Sequence, residues 1–272
     1  MPELPEVEVI VKGLKKNILN LKISDFNIIN KNLRYPVQSS MEILYKNRTI
    51  KHVFRRGKYG IILVDGKDHI VFHLGMTGKF RFSNKNSHIC KHDHILISFN
   101  NDLNLIYNDV RKFGFFSIIQ SPVDIYNFYK LGVEPFFLDS LENNLWKKLK
   151  LKNKDIKSVL LDQSFIAGIG NIYASEILFN CNIYPFKKAR NISKKSFKKL
   201  LTAVEKILQK AILKGGVTIK DYRNVSGDLG YFQLNLKVYG REGLSCYKCK
   251  SLIIKSTRNG RSTFYCKNCQ SR

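Results

Sequence analysis

The chain has 272 residues, 44% of them hydrophobic and 25% charged, which suits a folded protein of two domains and excludes a disordered one. Lys and Arg number 47 against 21 Asp and Glu, and the resulting charge of +26 favours a polyanionic partner, although drift in an AT-rich genome also enriches Lys, Asn and Ile. No apolar run reaches the ~18 residues of a membrane span and no signal-peptide core opens the chain, so a soluble, cytoplasmic protein is expected.

The first eight residues read Met1-Pro2-Glu3-Leu4-Pro5-Glu6-Val7-Glu8. Proline and acids in a first turn open helices in the ordinary way, and Val7, Val9, Ile10, Val11 and Leu14 continue at helical spacing. The stretch also has a chemical reading. Removal of Met1, which a small second residue permits, frees the secondary amine of Pro2. An α-amino group titrates at roughly 7.7–8.0, so part of it is unprotonated near neutral pH. Condensed with an aldehyde it gives an iminium, cationic without an added proton, which acidifies neighbouring C–H bonds. Glu3 stands beside it to move protons.

From about Leu21 to Ile119 the chain reads mainly as short strands: Ile23–Ile29, Thr49–Phe54, Tyr59–Val64, His69–Leu74, Lys79–Phe82, Ile95–Phe99 and Phe115–Ile119. Asp65-Gly66, Gly75 and Gly78 provide turns, and strands at this spacing suggest a two-sheet sandwich. Lys130-Leu-Gly-Val-Glu-Pro135 reads as an interdomain connection. Helical periodicity then takes over. Ile156, Val159 and Leu160 belong to one helix, Phe165–Gly170 is a glycine-bearing turn, and a second helix follows with Asn171 as its cap. Ser193 caps a longer helix that ends at Gly215-Gly216, and Val217–Tyr231 reads as a long loop.

Cys246-x-x-Cys249 and Cys266-x-x-Cys269 enclose sixteen residues. Two such pairs suit one tetrahedral, structural Zn²⁺ better than disulfides or an Fe–S centre in a reducing compartment. Between them two strand-like runs flank Asn259-Gly260, a two-residue hairpin turn, with Arg258 and Arg261 at the tip. Cys90 and Cys181 read as buried thiols rather than ligands.

The opening Pro-Glu-Leu-Pro-Glu-Val-Glu and the closing cysteine hairpin together resemble the bacterial formamidopyrimidine-DNA glycosylase (8-oxoguanine glycosylase/AP lyase) family. Arg56–Tyr59, His73–Gly78, Lys91–His94, Arg111–Gly114, Gly168–Glu176 and Val238–Arg241 fit at matching intervals, so the likeness spans the chain. It implies an α+β architecture. A catalytic two-sheet β-sandwich with flanking helices would occupy 1–131, a helix-two-turn-helix domain 132–237 and the zinc hairpin 238–272, with DNA in a basic cleft between the lobes. The protein would act as a monomer on double-stranded DNA containing oxidised purines.

By the same resemblance, Pro2 attacks C1′ of the damaged nucleotide and Glu3 protonates the opened sugar, with Glu6 supporting the terminus. Lys58 serves β-elimination beside the lesion phosphate, and Arg261 serves δ-elimination. Met76, Arg111 and Phe113 fill the void left by the extruded base. His92, Asn171, Lys152 and Asn153 contact phosphates, and the Val217–Tyr231 loop closes over the everted purine. Taken singly, each of these residues has an ordinary structural reading as well: a helix acid, a solvated lysine, a core phenylalanine, a turn methionine or a helix cap.

Two segments depart from the family pattern, at Val110 and Lys112 in one and at Asn153 in the other. Asp109-Val-Arg-Lys-Phe-Gly114 replaces the usual Asp-Pro-Arg-Arg-Phe-Gly, and Asn153 stands where a basic residue is common. Two rival readings are an endonuclease VIII-like glycosylase for oxidised pyrimidines and a zinc-hairpin DNA-binding protein without catalysis. Leu4 and the two loop motifs favour the purine enzyme over the first, and Pro2, Glu3 and Lys58 argue against the second.

Overall fold

The apolar spacing at the N-terminus does produce a helix. In the computed structural model, which describes residues 1–84, 88–121, 124, 130–217, 231–258 and 260–270, Leu4–Ile18 forms α1 with Leu4, Val7, Ile10, Val11, Leu14 and Ile18 buried. The chain divides into two units: Met1–Tyr129 with Lys214–Gln233, and Lys130–Leu213 with Leu234–Arg272.

The first unit holds β1 (Ile23–Ile28), α2 (Ser40–Tyr45), β2 (Ile50–Arg56), β3 (Tyr59–Val64), β4 (His69–His73), β5 (Lys79–Asn84), β6 (Asp93–Phe99), β7 (Leu103–Asn108) and β8 (Phe115–Ile119). They form two four-stranded antiparallel sheets ordered β1-β6-β7-β5 and β2-β3-β4-β8. Inward residues of both sheets and the buried stripe of α1 share one core, the expected sandwich. Its centre is aromatic: Phe72 lies 4.9 Å from Phe80 and 5.9 Å from Phe116, and Tyr107 lies 4.9 Å from Phe116, ring centre to ring centre.

Strand β7 and helix α2 were not expected from the sequence. Asparagines at 104 and 108 make the β7 run look like a loop, yet both are buried. Asn104 Nδ2 donates to Asn84 O at 3.4 Å, and Asn108 Nδ2 to Asp93 Oδ1 at 2.8 Å. Satisfied polar groups make an interior strand out of a polar-looking stretch. In α2, Met41 and Tyr45 supply the buried face.

The second unit contains α3 (Glu142–Lys150), α4 (Ile156–Leu161), α5 (Asn171–Asn180), α6 (Lys194–Leu213) and the hairpin β9 (Ile253–Arg258) with β10 (Arg261–Cys266). Asp155 caps α4 by accepting from Ser158 N at 2.8 Å, and Ser193 Oγ accepts from Ser196 N at 3.2 Å at the start of α6. The turn before α5 is built around Gln163, whose amide donates to Ile169 O at 2.9 Å and accepts from Gly168 N at 2.9 Å. Gly170, not Asn171, is the N-cap of α5; Asn171 is the first helical residue, and its amide is used elsewhere. Further along α5, the carboxylate of Glu176 accepts from Lys237 N, Val238 N and Tyr239 N at 2.8, 2.9 and 2.8 Å, fixing the chain that leads into the hairpin. Burial lifts this carboxyl above its ordinary range against the pull of those donors.

The expected closing loop falls mainly on residues 218–230, outside the described residues, as does Asn259 of the hairpin turn. Among the described residues no helix is long and apolar enough to cross a membrane.

Gly60 pairs with Phe72 across β3 and β4, and a Cβ there would lie 2.0 Å from Phe72 Cζ. Because Phe72 is locked among Phe80 and Phe116, Gly60→Ala is expected to cost about 1–3 kcal/mol. Urea unfolding checks this; an unchanged midpoint would contradict the packing.

Candidate functional site

Helix α1 begins where the chemistry was expected. Glu3 and Glu6 are both 2% exposed and Pro2 is buried, while Met1 is exposed. Glu6 Oε2 accepts from Glu3 N at 2.8 Å, and Glu6 Oε1 accepts from Val217 N at 2.9 Å. One carboxylate therefore fixes the backbone next to Pro2 and the start of the 217–231 segment. Gly216 makes the approach possible: its φ is +78°, and a Cβ there would lie 2.9 Å from Glu6 Oε1. The base of the segment is closed by a Val217–Tyr231 bridge and by Phe232 N donating to Gly216 O at 3.0 Å.

Lys58 lies in the tight connection between β2 and β3, where Arg56 pairs with Tyr59 and Gly57 takes the left-handed conformation (φ 56°). It is only 7% exposed, unlike the solvated lysine of the ordinary reading. Tyr59 pairs in turn with His73. Burial, then the charges of Lys58 and Arg34, push His73 down to about 4. The neutral ring is put to use: Nδ1 accepts from Gly75 N at 3.0 Å, at the turn that carries Met76. In the sequence His73 is only the first residue of a glycine-bearing motif. Its place on the strand paired with Tyr59, next to Lys58, depends on β-register, which no local pattern announces.

Met76, Arg111 and Phe113 come together on neighbouring loops, His73–Gly78 and Asp109–Gly114. A Cβ on Gly75 would lie 2.3 Å from the carbonyl carbon of Phe113, so the two backbones touch. All three side chains are exposed, and the Arg111 guanidinium lies 4.7 Å from the Phe113 ring centre. His92, left-handed at φ 72°, accepts through its carbonyl from Asp109 N at 3.0 Å.

In the second unit, Asn171 Nδ2 donates to Ser262 O at 2.9 Å, immediately beside Arg261 at the hairpin tip. Lys157, which sequence reasoning missed, donates to the same carbonyl at 3.0 Å and to Thr263 Oγ1 at 2.7 Å, and is 2% exposed. A lysine so deeply buried gives no local signal, because its partners lie more than a hundred residues away. Asn153, Lys154, Lys188, Arg258 and Arg261 line a basic cavity of about 770 Å³. Asn153 Oδ1 accepts from Arg190 Nη1 at 3.1 Å, and Lys152 pairs with Asp162 at 3.3 Å, so both already have protein partners.

The four cysteine sulfurs of 246, 249, 266 and 269 lie within 4.8 Å of one another, with Cys246–Cys269 at 3.9 Å and Cys249–Cys266 at 3.4 Å. A tetrahedral thiolate shell with metal–sulfur bonds of ~2.3 Å has edges of ~3.8 Å, so the cluster fits one metal ion. Cys90 and Cys181 stand outside it; Cys181 is buried as expected, but Cys90 is exposed, held by its backbone N–H on Asp93 rather than by a packed thiol.

A two-sheet domain followed by a helical domain and a four-cysteine hairpin defines a class of DNA repair glycosylase, and comparison with known proteins agrees. Residues 1–116 match the model of the formamidopyrimidine-DNA glycosylase N-terminal domain, and residues 131–223 that of the formamidopyrimidine-DNA glycosylase H2TH domain. The formamidopyrimidine-DNA glycosylase of Wolbachia sp. subsp. Drosophila simulans is 40% identical over 271 residues, covering 100% of each chain. That of Rickettsia africae is 42% identical over 272 residues, covering 99% of each. Among solved structures, a Lactococcus lactis FPG mutant in complex with Fapy-dG-containing DNA superposes with a TM-score of 0.93 at 36% identity and 100% coverage of each chain. L. lactis Fpg in complex with abasic-site DNA gives 0.92 at 36% identity, over 99% of this chain and 100% of that one. The chain belongs to the formamidopyrimidine-DNA glycosylase family.

The His73 site makes a prediction about pH. Its folded value lies below the ordinary 6.5, so protonation favours the unfolded chain: the contribution to stability is complete above pH ~6.5 and is lost as pH falls toward 4. Imidazole NMR shifts should show a neutral ring at pH ~5.5; a midpoint near 6.5 would contradict the assignment.

Proposed function

We propose that this chain is a bifunctional DNA glycosylase/AP lyase of base excision repair that removes oxidised purines, 8-oxoguanine and formamidopyrimidines, from double-stranded DNA. The observation that carries the reading is the double hydrogen bond of Glu6, which holds the backbone beside Pro2 and the base of the 217–231 segment on one carboxylate. The backbone beside the nucleophile is thereby tied to Val217.

The chemistry follows from the residues. With Met1 removed, the Pro2 nitrogen attacks C1′, and the N-glycosidic bond breaks with its electron pair leaving on the base. Glu3 protonates the ring oxygen as the sugar opens to an iminium. The iminium acidifies C2′–H; loss of that proton expels the 3′ phosphate, assisted by Lys58, and a second elimination, assisted by Arg261, expels the 5′ phosphate. Water then hydrolyses the iminium, freeing Pro2 and releasing the sugar remnant as an unsaturated aldehyde, so the products are that aldehyde, free oxidised purine and a one-nucleotide gap with phosphates at both ends. Met76, Arg111 and Phe113 fill the vacated stack, where an arginine suits the exposed edge of cytosine and a phenylalanine suits a wedge between bases. His92, Lys152, Asn153 and Asn171 serve the phosphates, with Lys152 exchanging Asp162 for DNA. Residues 1–131 carry Pro2, Glu3 and Lys58, 132–237 grip DNA, and 238–272 grip DNA and present Arg261. The enzyme works as a cytoplasmic monomer.

Cys246, Cys249, Cys266 and Cys269 would hold one Zn²⁺ with no open position. Its part is structural, since the four-cysteine cluster and the Lys157 and Asn171 bonds to Ser262 O all bear on the hairpin that presents Arg261.

Two outcomes are expected. On lesion duplexes, 8-oxoguanine opposite cytosine should be cut far faster than thymine glycol, Pro2→Gly should slow base release at least ~100-fold, and Lys58→Ala should mainly impair oxidised guanine. Preference for thymine glycol, or full activity of Pro2→Gly, would overturn the reading. Metal analysis should find one zinc per chain, with thermal stability lost on chelation; a metal-free, equally stable protein would remove the zinc assignment.

A further inference from the structure

Asp109 is 0% exposed and lies beneath the two loops that bear Met76, Arg111 and Phe113. Its Oδ1 accepts from the Thr77 hydroxyl on one loop and from Arg111 N, at 3.2 Å, on the other. Its Oδ2 accepts from Gly114 N at 2.8 Å and from the Tyr107 hydroxyl at 3.3 Å. Thr77 Oγ1 accepts from Arg111 N as well, at 3.1 Å, and the ring Nε2 of buried His94 donates to the Asp109 carbonyl at 2.8 Å. The Tyr107 hydroxyl is wedged where no side chain fits: a Cβ on Gly78 or Gly114 would come within 2.3 or 1.8 Å of it. The backbones above are in contact at Gly75 and Phe113.

We propose that Asp109 is a positioning residue for base extrusion, its carboxylate joining the His73–Gly78 and Asp109–Gly114 loops into one rigid wedge. The inference rests on the reading that Met76, Arg111 and Phe113 fill the vacated stack. A single acceptor that takes donors from both loops sets the spacing of the three side chains. In this chain Val110 stands where the family usually has proline, so φ is not restricted by a ring there, and hydrogen bonds to Arg111 N supply the constraint. Asp109 touches neither the sugar chemistry nor Pro2. It acts on the step that precedes bond breaking, and that step is absent when no base has to be moved.

The test compares two substrates in single turnover: 8-oxoguanine opposite cytosine, and a preformed abasic site. Asp109→Asn keeps the shape but turns part of the acceptor into a donor facing Gly114 N or Thr77. It should slow release of 8-oxoguanine about tenfold, change abasic-site cleavage less than about twofold, and narrow the preference for cytosine over adenine opposite the lesion. Thr77→Val, which removes one donor to Asp109 and one acceptor for Arg111 N but leaves the carboxylate in place, should move the same ratio in the same direction, and it carries the test if the asparagine variant does not fold. Combined with Phe113→Ala, Asp109→Asn should add little to the larger single effect. Equal losses on both substrates, or no loss on either, would overturn the proposal. Phe113→Ala run in parallel separates the two levels. If it shifts the ratio while Asp109→Asn and Thr77→Val do not, only the positioning role fails; if it leaves the ratio unchanged, the stack-filling reading fails and the inference with it.

Discussion

The carboxylate of Glu6 is the constraint on which the placement of the chain's first residues depends. Buried at the first turn of α1, it accepts one backbone N–H from Glu3 and another from Val217, more than two hundred residues later. Leaving such a group unpaired in the interior is costly, so both donors stay where the helix puts them. The helix itself is held by a stripe from Val7 to Ile18 that shares the sandwich core. The N-terminus, usually the loosest part of a chain, is thus among the most firmly placed here. Gly216 completes the arrangement by leaving room for the acid.

Much of the fold was legible because strand period and turn chemistry speak locally. The edges of β3 and β8 fell where alternation and glycines put them, and Ser193 capped α6. What stayed hidden depends on partners distant in sequence. Asn104 and Asn108 disguised β7, since a buried asparagine is interpretable only once its acceptor is known. Asn171 reads as a cap but its amide faces Ser262, and Lys157, which nothing local singles out, bonds the same hairpin. His73 gained its meaning from pairing with Tyr59, next to Lys58. The cysteine pairs were the opposite case: their spacing announces a shared site, and the sulfurs do converge.

A single strategy recurs across both units. Several of the proposed site residues sit beside short connections that are fixed by a polar group taking or giving hydrogen bonds. Glu6 does this for the N-terminus, Asp109 for the paired loops, Glu176 for the run into the hairpin, and Lys157 with Asn171 for the carbonyl beside Arg261. Fully satisfied groups of this kind specify one geometry at modest net energy. The surplus of basic side chains supplies attraction for a polyanion, but these buried anchors decide where the few specific groups stand.

The central claim is chemical: the secondary amine at the start of α1 forms the covalent bond to the sugar. Borohydride reduction during turnover on a lesion duplex, followed by proteolysis and tandem mass spectrometry of the adduct, tests it directly. The deoxyribose fragment is expected on the Pro2 nitrogen of a chain lacking Met1. Its appearance on Lys58 or another lysine, or on a retained Met1 amine, would contradict the account.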